Sequence, residues 1–151
     1  MTKRWTTGIT AALGTIALVA IAGCGTATNA PTSNSTPAAA NKLNIAISEM
    51  KVDVSPTFAA GKYTFTITNT GTLPHELLAF KSDLAQANFP TDSTGDVVED
   101  GPGITKTSDG DNIDPGKSQT REIDLKPGTY LFICNLAGHY HGGMHTVVTV
   151  T

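Results

Sequence analysis

The sequence has little of several things. Only two cysteines occur in 151 residues, and they lie far apart, so the paired-cysteine spacing of a structural zinc site is absent. Lys and Arg number 10 against 13 acidic residues and form no run or patch, which removes nucleic-acid binding from consideration. No apolar stretch reaches the roughly twenty residues of a membrane-spanning helix. Aromatic residues make up only 6% of the chain. Thr, Gly, Ala and Val are plentiful instead, a composition that leans towards strands and turns. The length fits one domain.

What is present begins with a processing signal. Lys3 and Arg4 precede an apolar run of thirteen residues, 9–21, which reads as a secretory signal to be excluded from the fold. It ends in Ile21-Ala22-Gly23-Cys24. Small residues before a cysteine at that place resemble the bacterial lipobox, which implies that Cys24 becomes the lipidated first residue of the mature protein. Residues 25–41 carry no charge and no large apolar side chain. Such a stretch cannot offset its own ordering entropy, and its length suits a tether. The expected division is therefore a signal peptide (1–23), a lipidated cysteine with its linker (24–41) and a folded domain (42–151). An extracytoplasmic, membrane-anchored protein is implied. Cys134 is then the only other thiol, and in an oxidising compartment it needs burial or a metal.

The domain reads as all-β. Leu43, Ile45 and Ile47 alternate with polar or small residues, and Tyr63, Phe65 and Ile67 alternate with threonines. Residues 51–54 either extend the first strand or begin another. Residues 75–80 read as a strand entered from Pro74. Residues 81–113 are acidic, with one or two helical turns near 83–87, and read as a long surface excursion. A calcium loop at Asp109-Gly110-Asp111-Asn112 is rejected, because Ile113 falls on a ligand position and the closing Glu is missing. Pro-Gly turns at 115–116 and 127–128 bracket a strand at 118–125. Residues 130–134 are apolar on both faces, as in a central strand, and 146–151 form the last. About seven short strands at regular spacing indicate a Greek-key β-sandwich.

The chemistry gathers at the end. Cys134, His139, His141, Met144 and His145 fall within twelve residues, and the one remaining histidine is His75, just after a turn. Gly138, Gly142 and Gly143 allow the loop to fold back on Cys134. Two imidazoles, one thiolate and one weak thioether form the ligand set of a blue-copper electron-transfer site. Thiolate and thioether favour Cu(I), whereas imidazole suits both oxidation states.

These residues resemble the cupredoxins, the small blue copper proteins that include plastocyanin, azurin and auracyanin. The resemblance rests on Asn69-x-Gly71 before His75, on Pro127-Gly128-x-Tyr130 leading into a strand, on Cys134-x4-His139-x4-Met144 and on the closing Val148-Thr149-Val150. The four-residue spacings are more similar to auracyanin and sulfocyanin than to plastocyanin. The resemblance implies a copper near one end of the sandwich, with His75, Cys134 and His139 as equatorial ligands and Met144 as the axial one. His141 in a glycine-rich loop is expected to be solvated. His145, next to Met144 at the start of a strand, is expected to face away, leaving both for docking or secondary roles.

The function expected is a tethered one-electron carrier, monomeric, with one copper and redox proteins as partners. An alternative is copper buffering or delivery, kept open by His141 and His145. A zinc module on Cys134 and three histidines is a further class, which a colourless copper-loaded protein would support. A copper oxidase or reductase needs more histidine-rich centres than four histidines provide, so no enzyme activity is expected.

Overall fold

Alternation dictates the first sheet. In β4 (Gly61–Asn69) Tyr63, Phe65, Ile67 and Asn69 are buried while the residues between them are not. β1 (Asn41–Ser48) buries Ile45 and Ile47 and runs parallel to β4, Asn41 opposite Tyr63 and Ile47 opposite Asn69. β1 turns back through Glu49 and Met50 into the short β2 (Lys51–Asp53). On the other side of β4, β7 (Ser118–Leu125) pairs antiparallel, giving the order β2-β1-β4-β7. The computed structural model describes residues 40–151. The expected signal peptide, Cys24 and nearly all of the linker lie outside them.

The second sheet has the order β3-β9-β8-β5-β6, with β3 Thr57–Phe58, β5 Leu78–Lys81, β6 Thr105–Ser108, β8 Gly128–Ile133 and β9 His145–Val150. β8 and β9 form an antiparallel pair, Gly128 opposite Val150 and Ile133 opposite His145. The inner faces of the two sheets enclose one core built on Ile45, Ile47, Phe65, Ile67, Phe132 and Val148. Both sheets mix parallel and antiparallel pairs, and the whole is the β-sandwich expected. Among the described residues, no helix is long and apolar enough to cross a membrane.

Three expectations need correction. The strand read at 75–80 begins only at Leu78; His75 instead makes an isolated bridge to Ile113, with its N–H on Ile113 O at 3.2 Å and the reverse bond at 2.6 Å. The excursion at 81–113 is more than a surface loop. It contributes β6, a 3₁₀ turn at Gln86–Asn88 in place of the helical turn at 83–87, and a second apolar cluster. Phe89 and Val97 pack there with Leu78, Phe80, Leu131, Ile133 and Tyr140, on the outer face of β5 and β8. That cover explains why β8 is apolar on both faces: a strand reads as a continuous apolar run only when both of its sides are buried.

Candidate metal centre

Four segments meet at one end of the sandwich: the turn after β4, the bridge at His75, the end of β8 and the loop that leads into β9. Asn69, fully buried, ties the first two together. Its Nδ2 donates to Leu73 O and to Ile113 O, both at 2.7 Å, and its Oδ1 accepts the Gly71 N–H at 2.9 Å. His75 is thereby fixed between the turn and Ile113. Asn69→Ala would remove all three of these hydrogen bonds and leave a cavity where the buried amide sat, and we expect a loss of about 2–4 kcal/mol in denaturant unfolding. A loss under about 0.5 kcal/mol would mean that this amide does not hold the segment.

The last loop is wound rather than extended. The Gly142 N–H donates to Gly138 O, that of Gly143 to Tyr140 O and that of Met144 to His139 O, at 2.9–3.0 Å. Gly143 takes φ of 99°, a conformation that L side chains avoid. The winding returns Met144 to the end of β8, where the Cys134 N–H donates to Met144 O at 3.0 Å. Cys134 and Met144 are both fully buried, in the main core.

Three donor atoms converge. Cys134 Sγ lies 3.3 Å from His139 Nδ1, which lies 3.2 Å from His75 Nδ1. All three ligand atoms fall within 4.8 Å of one another, the one such group of histidine, cysteine and acid side chains among the described residues. Donors just over 3 Å apart match the span of an ion bound at ~2.0–2.3 Å from each. The Glu76 N–H points at Cys134 Sγ from 3.4 Å, a hydrogen bond suited to a thiolate. Burial pushes the Cys134 thiol up, opposed by that N–H, so in the absence of a cation the thiol form is favoured. Burial pushes His75 down, with His139 adding to it, which keeps its imidazole neutral and able to donate a lone pair.

The other two loop histidines are elsewhere. His141 is exposed and rests against Gly95, where a Cβ would lie 2.8 Å from its Nδ1. His145 packs at a tilt against Tyr140, 5.2 Å between ring centres, and its Nε2 is 2.9 Å from the side-chain amide of Gln86. It faces the outer cluster and not the converging donors.

Several supporting residues carried little signal in the sequence. Asn135, next to Cys134, accepts the Val97 N–H at 2.8 Å and donates to Val97 O at 3.0 Å, and its own N–H donates to Glu76 at 3.1 Å. Asp96 accepts the Gly138 N–H at 3.0 Å. The excursion thus braces both ends of the ligand loop. Glu49 caps the turn before His75 through the N–H groups of Thr72 and Leu73, and these, Thr72 foremost, lower its carboxyl to about 2. A polar side chain directly after Cys134 was the one available clue, since it needs a partner where the chain is half-buried.

A thiolate and two imidazoles, with the Met144 side chain buried in the same core as Cys134, suit copper better than zinc, because soft sulfur ligands stabilise Cu(I) and imidazole tolerates both states. The relatives agree. Residues 26–151 match the family model described as the sulfocyanin (SoxE) domain. Among solved structures, a dithionite-reduced auracyanin from Roseiflexus castenholzii is 27% identical, covering 74% of this chain and 98% of its own, with a TM-score of 0.54. Auracyanin A from Chloroflexus aurantiacus, described as a blue copper protein, shares the fold at 18% identity, with 74% and 100% coverage and a TM-score of 0.51. An azurin from Methylomonas sp. strain J does so at 11%, with 75% and 99% coverage and a TM-score of 0.52. No curated protein matches the sequence. With a family match over most of its length and copper-suited donors at one end of the sandwich, this chain belongs to the sulfocyanin (SoxE) family of cupredoxins, copper proteins of electron transfer.

Proposed function

We propose that the protein is a membrane-tethered, extracytoplasmic carrier of single electrons, with one type 1 copper held by His75, Cys134, His139 and Met144. The observation that carries this reading is the convergence of two imidazoles on one buried cysteine, with only His139 of the three half-exposed. Bound there, copper supplies a Cu(I)/Cu(II) couple. The chain supplies the rest. The core around Cys134 and Met144 excludes water, the winding of 138–144 sets the donors in place, and Asn135 and Asp96 keep the loop from relaxing. Rigid donors reduce the rearrangement that accompanies a change of charge. His139, at the surface, is the contact through which a redox protein partner receives the electron.

Copper delivery is the weaker reading, because a delivery site has to release its metal and these donors are buried and braced. Electron self-exchange with retained copper supports the carrier, whereas transfer of copper to an apo-acceptor supports delivery. Met144 has its own test. Met144→Leu removes a weak donor to Cu(II) and should raise the reduction potential; Met144→Gln supplies an oxygen donor and should lower it. Equal potentials in both variants and the parent would remove Met144 from the ligand set.

The tether rests on the sequence of residues 21–24. Cys24→Ser should give an unlipidated or unprocessed protein, read by mass spectrometry of the mature N-terminus. A parent protein that starts elsewhere, or carries no acyl mass, contradicts the anchor. Stable anchoring takes more than one acyl chain, so the lipid mass should account for several.

A further inference from the structure

His75 has two ring nitrogens, and only one faces the other donors. Nδ1 lies 3.2 Å from His139 Nδ1. Nε2, on the far side of the ring, is buried and has no hydrogen-bond partner. An unpartnered N–H in that position is costly, and an unpartnered lone pair is no better placed. Facing it is a carboxylate: Glu49 Oε1, 3.9 Å away.

Glu49 is placed there by contacts that do not involve the histidine. It sits in the turn between β1 and β2 and accepts the N–H groups of Thr72 and Leu73 and the Thr72 hydroxyl, the last two at 2.9 and 3.0 Å. Gly71 leaves room for it, since a Cβ on Gly71 would lie 2.5 Å from Glu49 Oε2. The first hairpin thus delivers an acid to the segment that carries His75 and aims it at the orphaned nitrogen. Closing 3.9 Å to a charge-assisted hydrogen bond of ~2.8 Å needs a shift of about 1 Å in a side chain that is 38% exposed.

We propose that Glu49 is a positioning residue for the copper centre: its carboxylate holds the proton of His75 on Nε2, leaving Nδ1 free to bind the metal, and its negative charge favours the oxidised state. The inference rests on the copper reading above and adds to it. A carboxylate behind a ligating imidazole fixes the tautomer and raises the basicity of the ligand, and loss of such a partner typically lowers metal affinity by ~10–100-fold. The charge acts in the same direction on the potential, because Cu(II) carries one more positive charge than Cu(I) and is stabilised more by a nearby anion.

Glu49→Gln in the full chain separates this role from the turn. The amide oxygen still accepts the Thr72 and Leu73 N–H groups, so the turn remains, but the charge is gone. The blue colour should persist, the reduction potential should rise, and copper affinity should fall by ~10–100-fold. In the copper-free, ¹⁵N-labelled protein, His75 should be predominantly the Nε2–H tautomer, and Glu49→Gln should shift it towards Nδ1–H. Glu122→Gln, the same loss of charge on the exposed face of β7, should change none of these. A Glu49→Gln protein with unchanged potential and unchanged His75 tautomer would reduce Glu49 to a cap for the turn and overturn the proposal. If the parent itself takes up no copper, the copper reading fails, while the tautomer of the copper-free protein still decides whether Glu49 governs His75.

Discussion

Cys134→Ala should abolish the blue absorption of the copper-loaded protein completely. The intense colour of such a site arises from the bond between Cu(II) and a thiolate, and Cys134 is the sole cysteine among the described residues. The copper-free fold should survive. Replacing a buried sulfur by hydrogen leaves a small cavity, which costs about 1–2 kcal/mol by analogy with other single-group deletions in cores. The larger effect is on the loaded protein. Copper at 1,000 times its Kd stabilises the native state by about 4 kcal/mol, and a variant that no longer binds it loses all of that. Thermal melts with and without Cu(II) measure both parts. A Cys134→Ala protein that remains blue, or that keeps the full copper-dependent rise in Tm, would place the metal elsewhere.

The second large effect separates the three loop histidines. His139→Ala should lose the native colour and regain absorption when free imidazole is added, because this ring is half-exposed and its removal opens the donor cluster to solvent. His141→Ala and His145→Ala should both stay blue. His141 lies outside, against Gly95, and His145 is engaged with Gln86 and Tyr140 on the other face. Loss of the His145 ring should appear in stability instead, because it removes one of two links between the ligand loop and the 3₁₀ turn, the other being the Tyr140 hydroxyl on Gln86 O. Spectra of the three single variants give the answer. A blue His139→Ala beside a colourless His141→Ala would reassign the imidazole.

Much of this was legible from residue order, and the exceptions share a cause. Tyr63, Phe65 and Ile67 announce β4, because one side of that strand faces the core and the other faces water. Spacing together with the resemblance to the cupredoxins also pointed to His75, Cys134 and His139, whose ligand atoms the structure brings together. His141 is exposed as its glycine-rich setting led one to expect, and the backbone bonds of 138–144, which wind the loop, set its ring against Gly95 and away from the donors. The role of 81–113 was hidden because its contribution is made by scattered residues. Phe89 and Val97 sit among acids and glycines without a period, yet together they cover the outer face of β5 and β8. Their counterpart was visible in the unbroken apolar run of β8, which implied a cover without showing where it came from. Asn135, Asp96 and Glu49 act through backbone groups distant in sequence, and such bonds leave no pattern in the chain.

The central claim is that one copper sits on these donors and changes charge by one electron. A titration of the metal-free protein with Cu(II), followed in the visible range and then reduced with a counted reductant, tests it most directly. The account predicts an intense blue band that saturates at one Cu(II) per chain, bleaches with one electron per copper and returns on reoxidation without loss of metal. A protein that binds copper and stays colourless, or that releases it on reduction, would contradict it.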